Sequence, residues 1–143
     1  MAPPQPDSTH GGLTMKKSGV TKPGKSRKRR FNAPYHVRRK FLSAPLSPSL
    51  KSQYGTRSMP LRRDDTVTIT KGDRKLTEGR VLRVDSNRNR LYVEGVTRTR
   101  MDGSTTQIPI RPENVMITRL TLDDTKRREI LDRRGFEAKR GRE

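Results

Sequence analysis

A short stretch near the amino terminus has the residue types and spacing of a phosphate-binding loop. Residues 19–26 read Gly-Val-Thr-Lys-Pro-Gly-Lys-Ser, which places four residues between a glycine and a Gly-Lys-Ser triplet. Such a loop binds phosphates only between a buried parallel strand and a helix, because backbone N–H groups and a helix N-terminus must converge on the ligand. Here residues 10–18 offer no apolar strand, and four consecutive cations follow the triplet. We therefore interpret the match as a coincidence in a glycine- and lysine-rich segment.

The histidines do not favour catalysis or metal binding. His10 and His36 are the only histidines and the chain has no cysteine, so thiolate metal sites and disulfides are excluded. Neither histidine has a nucleophile and an orienting group beside it in the sequence, as base catalysis requires. We predict no enzyme activity, no cofactor and no metal. His36, beside Tyr35 and close to three cations, is interpreted either as a phosphate or base contact or as a solvated helix residue.

Cations dominate the composition. The 143 residues include 34 Lys or Arg and 15 Asp or Glu, which gives a formal charge of +19. A polyanion relieves the self-repulsion of such a chain, and each phosphate that Lys or Arg neutralises releases condensed counterions. Nucleic acid is the predicted partner. RNA is favoured over DNA, because the sequence has no zinc finger, heptad zipper or recognition helix and its aromatic residues are sparse.

The cations are distributed unevenly along the chain. Residues 1–60 carry 13 basic and 1 acidic side chains, residues 61–120 carry 13 and 8, and residues 121–143 carry 8 and 6. Hydrophobic residues make up 27% of the chain, enough for one small core. We predict an extended basic arm over 1–26 that is disordered without its partner, and an RNA-binding arm with short helices over 27–60. A folded domain over 61–120 and a C-terminal helix with a charged tail over 121–143 complete the prediction.

No apolar run in the sequence is long enough for a membrane span or a secretory signal. We therefore expect a protein that does not span a membrane and, since it also has no cysteine, one located in the cytoplasm. We also predict no small-molecule substrate.

Start and stop signals predict three short helices. Asn32-Ala33-Pro34 predicts a cap and first turn for a helix that continues through Leu42. Ser47-Pro48 predicts a second helix start, and Gly55 predicts its end. Asp123-Asp124 predicts the cap of a final helix, where carboxylates favour the positive end of the helix dipole.

Residues 61–120 follow the period of β-strands. Predicted strands cover residues 66–70, 80–84, 91–93, 105–110 and 115–117. Turn residues separate them, notably at 85–89 and 101–104. Five short strands within one small domain predict a mainly β fold closed into a barrel, because closure removes exposed edges.

Glycines and cations mark the loops of this domain. Gly72 and Gly79 flank the segment between the first two strands, and we interpret them as turn or bulge positions that need positive φ. Cations on this loop and the next two turns predict a basic rim at the loop ends. The rim comprises Arg74, Lys75, Arg88, Arg90, Arg98 and Arg100.

Several segments taken together resemble one family. They are residues 27–34 (Arg-Lys-Arg-Arg-Phe-Asn-Ala-Pro), 36–40 (His-Val-Arg-Arg-Lys), 43–47 (Ser-Ala-Pro-Leu-Ser), 57–62 (Arg-Ser-Met-Pro-Leu-Arg), 71–81, 92–96 and 112–117. In this order they resemble large-subunit ribosomal protein twenty-four of the universal naming, in its archaeal and eukaryotic branch, whose eukaryotic member is called protein twenty-six. Residues 71–81 resemble the KOW motif of that family.

The resemblance implies a five-stranded SH3-like barrel with a basic N-terminal arm. It also implies binding to large-subunit ribosomal RNA near its 5′ region, an early role in subunit assembly, a position in the cytoplasmic ribosome near the nascent-chain exit, and neighbouring large-subunit proteins as partners. The predicted RNA-binding residues are Arg27, Lys28, Arg29, Arg30, Asn32, Tyr35, His36, Arg38, Arg39, Lys40, Arg57, Arg62, Arg63, Arg74, Lys75, Arg88, Arg90, Arg98, Arg100 and Arg111.

Two positions depart from the family pattern. Leu76 stands where the family usually has a second glycine after the loop lysine, and Arg111 stands where relatives often have His. The second change replaces a titratable contact by a permanent cation.

Two hypotheses from other classes remain. A transcription-associated KOW module would contact polymerase and nucleic acid, but relatives of that kind carry an additional α/β domain before the barrel. A P-loop enzyme would show nucleotide-dependent protection of Lys25. Co-sedimentation with ribosomal or polymerase fractions separates the first alternative from the ribosomal hypothesis.

Overall fold

The computed structural model describes residues 20–135, in two units of which one ends at Asn32 and the other begins at Ala33. The first unit contains helix α1 (Pro23–Phe31), with Pro23 at the start of the helix, where its fixed φ is favourable. The Asn32 N–H donates to the Lys28 carbonyl at 2.9 Å and ends the helix. The sequence signals did not predict α1, and they placed Asn32 at the start of a helix, whereas it lies at the end of one.

The end of the phosphate-loop match lies in this helix. Gly24, Lys25 and Ser26 belong to α1, and residues 20–22 before it form no strand. The strand that a phosphate-binding loop needs would precede Gly19, outside the described residues, so the interpretation of the match as coincidence stays a prediction. Of the predicted arm over residues 1–26, residues 1–19 lie outside the described residues.

The second unit contains three helices, eight strands and one 3₁₀ turn among its described residues. In chain order these are α2 (Tyr35–Phe41), β1 (Ser43–Pro45), α3 (Pro48–Tyr54), β2 (Ser58–Pro60), β3 (Thr66–Ile69), β4 (Glu78–Asp85), β5 (Arg90–Val93), β6 (Thr97–Thr99), β7 (Thr105–Gln107), the 3₁₀ turn (Pro112–Asn114), β8 (Val115–Arg119) and α4 (Thr125–Arg134).

The helix signals of the second unit are largely confirmed. Ser47 caps α3 by accepting the Leu50 N–H, and Gly55 ends that helix at φ 62°. Asp124 caps α4 by accepting the Lys126 N–H at 3.1 Å. Helix α2 begins at Tyr35 because Pro34, at φ −65° and ψ 161°, has extended backbone and forms the N-cap.

The strands pair in three antiparallel sheets. The largest has the order β5-β4-β3-β8, while β1 pairs with β2 and β6 pairs with β7. Within the described residues the largest sheet has four strands and does not close into a ring. The mainly β prediction is therefore confirmed, with a short C-terminal helix, but the described strands do not form a closed five-stranded barrel.

The predicted strand over residues 105–110 is divided in the structure. Its first part forms β7 and pairs with β6, which was not predicted. Its last residue, Ile110, exchanges two backbone hydrogen bonds of 2.9 Å with Leu91 in β5. Pro109 separates the two parts because proline has no N–H to donate to a ladder.

The core forms where the inward faces of the sheets meet. Val67 and Ile69 of β3 alternate with partly exposed threonines, and β5 and β8 show the same alternation. The fully buried side chains of the cluster also include Ala44, Leu46 and Met59, from the segment predicted to be an arm. Ser47 N–H donates to the Ile117 carbonyl at 2.8 Å, so this segment is hydrogen-bonded to β8. The compact unit thus begins at Ala33 and not at Leu61.

A buried ion pair joins α4 to the sheets. Arg127 is 4% exposed and Asp65 is fully buried, and the two guanidinium nitrogens donate to the two carboxylate oxygens at 2.7 and 2.9 Å. Backbone groups add further bonds: Asp65 also accepts from the Arg62 and Thr121 N–H groups, and Arg127 also donates to the Thr121 and Pro60 carbonyls. Both carboxylate oxygens and both terminal guanidinium nitrogens are thus paired, as buried charges require.

Candidate nucleic-acid interface

A basic groove of about 720 Å³ opens at the loop ends of the second unit. Its walls are aliphatic, and its rim carries five cations from four different parts of the chain. The aliphatic residues are Ile69, Val96, Ile108, Pro109 and Ile110, and the cations are Lys71, Arg74, Arg90, Arg98 and Arg111. Four of these cations were predicted RNA-binding residues. The structure therefore brings together side chains that are up to 40 positions apart, from Lys71 to Arg111.

The loop between β3 and β4 places Arg74 at this rim. Its shape depends on two residues with left-handed backbone, Gly72 at φ 101° and Leu76 at φ 68°. The Leu76 N–H donates to the Ile69 carbonyl at 2.8 Å, which closes the loop. Gly72 thus has the positive φ that was predicted. Leu76, which stands where the family usually has a glycine, adopts the left-handed backbone that glycine favours.

Gly79 serves a different purpose from the one predicted. It lies in β4 without positive φ, and a Cβ atom there would stand 2.6 Å from the Glu94 carbonyl oxygen. That separation is shorter than real Cβ contacts, so Gly79 permits a close approach of two backbones. The turn or bulge interpretation of Gly79 is wrong.

The rim cations lack acidic partners. None of the five makes a salt bridge with a carboxylate of residues 20–135. The Arg74 guanidinium donates weakly to the Thr97 carbonyl at 3.4 Å, and Asp73 is the sole carboxylate residue that lines the groove. A cluster of like charges along a cleft focuses a positive potential and attracts anions.

Other predicted residues lie outside the groove. Arg88 is exposed at the turn between β4 and β5, while Arg100 lines a separate hollow of about 480 Å³ on the β6–β7 hairpin. Arg62 pairs with Asp124, and Arg63 lies beside it. Lys75 and Arg57 are exposed. The basic rim predicted from the sequence is thus divided between the groove and the neighbouring surface.

The turn between β6 and β7 lowers the pKa of the Asp102 carboxyl through hydrogen bonds from Ser104. The Ser104 hydroxyl donates to Asp102 at 2.6 Å and the Ser104 N–H donates at 3.0 Å, and these bonds lower the Asp102 pKa. Asp102 is fully exposed, so this bond network shapes the turn and does not create a reactive group.

Helix α2 carries a second basic surface. Tyr35, His36, Arg39 and Lys40 are exposed on it. Arg38, also predicted to bind RNA, donates instead to the Ala33 carbonyl and to the Asn87 side chain, both at 2.7 Å. The guanidinium of Arg38 therefore holds α2 against the turn between β4 and β5.

Helix α1 is exposed on every face. It carries five cations and no carboxylate, and none of its residues is buried. Arg27, Lys28, Arg29, Arg30 and the adjacent Asn32 are all exposed.

Sequence reasoning missed two groove residues and two charged residues of the core. Lys71 and Asn114 line the groove. Lys71 precedes Gly72 within the motif already noted, so the motif itself was a signal for it, whereas Asn114 had none. Arg127 and Asp65 resemble surface charges in the sequence but are buried, and no local pattern distinguishes them.

The groove is chemically suited to holding anions. Among residues 20–135 no cluster of three or more His, Asp or Glu side chains could bind a metal ion. Guanidinium groups recognise phosphates through paired N–H donors, and aliphatic walls suit apolar faces. Nor do the described helices include one long and apolar enough to cross a bilayer.

Fold and surface together define a class of protein: a small basic β domain with a cationic groove and exposed cationic helices. Comparison with known proteins gives the family. Residues 20–134 match the family model that describes the ribosomal proteins called L26 in eukaryotes and their archaeal L24 counterparts. The chain is also 47% identical over 114 residues to the large ribosomal subunit protein uL24 of Korarchaeum cryptofilum (strain OPF8), an alignment that covers 80% of this chain and 87% of that protein.

The chain belongs to this family of eukaryotic L26 and archaeal L24 ribosomal proteins. It is a structural family without enzymatic activity, located in the cytoplasmic ribosome, and membership confirms the resemblance seen in the sequence. It also supports a structural role in the large ribosomal subunit.

Proposed function

We propose that this protein binds large-subunit ribosomal RNA through the basic groove and through the exposed faces of α1 and α2. The observation that carries the proposal is the convergence of Lys71, Arg74, Arg90, Arg98 and Arg111 on one groove without acidic partners. An anionic ligand would neutralise these charges, and family membership makes ribosomal RNA the appropriate polyanion.

The composition of α1 supports a phosphate-binding role for the arm. A nine-residue helix is marginal in water, and like charges at positions three and four apart destabilise it further. Phosphates along the helix would remove that repulsion. We propose that Arg27, Lys28, Arg29 and Arg30, together with Arg39 and Lys40 of α2, contact RNA backbone, while Arg38 positions α2.

We also propose that the second unit is an SH3-like KOW domain. The support is the strand order β5-β4-β3-β8 together with the backbone pairing of Ile110 with Leu91, which adds a fifth short segment beside β5. The 3₁₀ turn then links this segment directly to β8. In this arrangement the loop between β3 and β4, with Gly72, is the KOW loop at the groove.

The resemblance extends the proposal to the place of the protein in the subunit. We propose contact with the 5′ region of the large RNA, early incorporation during assembly, a position near the nascent-chain exit, and neighbouring large-subunit proteins as partners. The family match over residues 20–134 favours this role over a transcription-associated KOW module. Co-sedimentation with large-subunit fractions, and not with polymerase fractions, is expected.

The salt dependence of RNA binding tests the groove. In a groove variant, Arg74, Arg90, Arg98 and Arg111 are replaced together by Gln. In a control variant, Gln replaces Lys51, Lys126, Arg133 and Arg134, which are exposed and lie outside the groove. Both variants therefore lose the same positive charge. Each phosphate contact contributes roughly 0.7–0.9 to the slope of log affinity against log salt, so the groove variant should lose about 3 from that slope.

Filter binding to large-subunit RNA between low and physiological salt measures these slopes. We expect a much smaller loss in the control variant. Equal losses in the two variants would mean that the groove is only one part of a uniformly cationic surface. An unchanged slope in the groove variant would overturn the proposal.

A further inference from the structure

We propose that the basic groove takes one unpaired nucleotide, bulged or looped out of the RNA, with its base against the aliphatic walls and its flanking phosphates at the rim. This inference rests on the proposed function and specifies its ligand. The observation behind it is that the groove combines two surfaces with different requirements, an aliphatic wall whose accessible part is Ile108 and Pro109, and five cations.

The volume and shape of the groove suit a nucleotide. Sites for small organic ligands commonly enclose roughly 300–1,000 Å³, and the groove measures about 720 Å³. The phosphates of a regular RNA duplex would reach the rim but leave the aliphatic walls in water. An apolar peptide would cover the walls but leave the cations without anions. A nucleotide satisfies both surfaces, because its base has apolar faces and its sugar-phosphate carries the charge.

The walls are held in place before any ligand binds. Ile108 N–H donates to the Val96 carbonyl at 3.1 Å, and Ile110 is fixed to Leu91 by two backbone bonds. Val96 itself is almost completely buried, so the wall is anchored in the core. A preformed site avoids the entropic cost of ordering its walls when the ligand binds.

The side chain of Asn114 provides a group that can read a base edge. Its backbone is fully engaged, because the carbonyl accepts from Thr70 and the N–H donates to the Arg111 carbonyl. Its side-chain amide lines the groove and makes no hydrogen bond with any of residues 20–135. An amide offers both a donor and an acceptor, as base edges require.

The test compares three RNAs with the full protein: a blunt duplex, the same duplex with a single-nucleotide bulge, and the same bulge made abasic. The abasic bulge retains the phosphates and the backbone distortion but lacks the base. We expect the complete bulge to bind about tenfold more tightly than either of the others, the effect of burying roughly 60 Å² of apolar surface. Equal affinity for the complete and the abasic bulge would overturn the inference.

Two further measurements identify the groove as the site. With 2-aminopurine in the bulge, fluorescence should rise on binding, because the base leaves the stack and the groove walls contain no aromatic residue. Asn114→Ala should weaken binding to the complete bulge about fivefold without changing the salt slope, since it removes one hydrogen bond and no charge. Gln53→Ala removes an exposed amide from α3 and should change neither.

The outcomes separate this inference from the proposed function. If the three RNAs bind equally while the four-arginine variant still loses its salt slope, the groove contacts only backbone phosphates and the inference fails alone. If the 2-aminopurine signal does not change although the complete bulge binds more tightly, the base lies elsewhere and the inference also fails. An unchanged salt slope in the groove variant overturns the proposed function.

Discussion

Replacing Arg127 by methionine tests whether the buried ion pair holds α4 to the sheets. Methionine fills similar space but leaves the fully buried Asp65 carboxylate with only the Arg62 and Thr121 N–H groups as partners. Removal of one partner from a buried pair commonly costs about 3–5 kcal/mol. Because small domains have about 5–15 kcal/mol of stability in total, this loss is a large fraction of the free energy of unfolding.

Urea unfolding followed by far-ultraviolet circular dichroism measures the effect. With a slope of about 2 kcal/mol per molar urea, the unfolding midpoint of Arg127→Met should fall by roughly 2 M. The matched control is Arg128→Met, one residue further along α4, where the guanidinium is exposed and donates to the Leu122 carbonyl. There the expected loss is below about 1 kcal/mol.

A double substitution separates the charge effect from loss of packing. Combining Arg127→Met with Asp65→Asn removes the buried charge, while the amide oxygen still accepts one backbone N–H. The double variant should be more stable than Arg127→Met alone by about 2 kcal/mol, because unpaired neutral donors cost less when buried than an uncompensated carboxylate charge. If the two substitutions are additive, or if Arg127→Met behaves like Arg128→Met, the reasoning about this ion pair is refuted.

Three further substitutions test local features. Leu76→Gly should stabilise the protein by about 1 kcal/mol in the same urea assay. A leucine at φ 68° is strained by roughly 1–2 kcal/mol and a glycine is not, and the greater freedom of glycine in the unfolded chain offsets part of this gain. A loss of stability would instead show that the exposed leucine side chain makes stabilising contacts. Gly79→Ala should destabilise by about 2 kcal/mol or more, because its Cβ would meet the Glu94 carbonyl, and an unchanged midpoint would contradict that close approach. Ser104→Ala should raise the pKa of Asp102 towards its ordinary value of 3.8, measured by NMR titration. Since the folded-state pKa is depressed, the Asp102 contribution to stability is present above the unfolded pKa and is lost as the pH falls through the folded pKa, and this acid sensitivity should diminish in Ser104→Ala.

Local signals predicted much of the second unit. The Ser47 cap, the Gly55 stop, the Asp124 cap and the turn at 101–104 all appear in the structure where the residue types placed them. Each is set by interactions among residues two to four positions apart, so adjacent sequence is sufficient to specify it.

Signals that depend on distant partners were misread or missed. The low apolar content of residues 27–60 suggested an unpacked arm, yet Ala44, Leu46 and Met59 are buried in the core. Three apolar residues are enough to pack this segment into the core when a neighbouring strand such as β8 supplies the other contacts. Helix α1 was missed because it has no apolar face from which a periodic pattern could be recognised.

The sequence by itself determined the cationic character of this protein, its turns and helix caps, and through the order of its motifs its family. The tertiary structure decided which cations share a groove, that Arg38 fixes α2 to the turn between β4 and β5, and that Arg127 is buried against Asp65. The physical reason is that net charge and local hydrogen bonds are properties of neighbouring residues, whereas the environment of each charge depends on strand pairing between segments far apart in the chain.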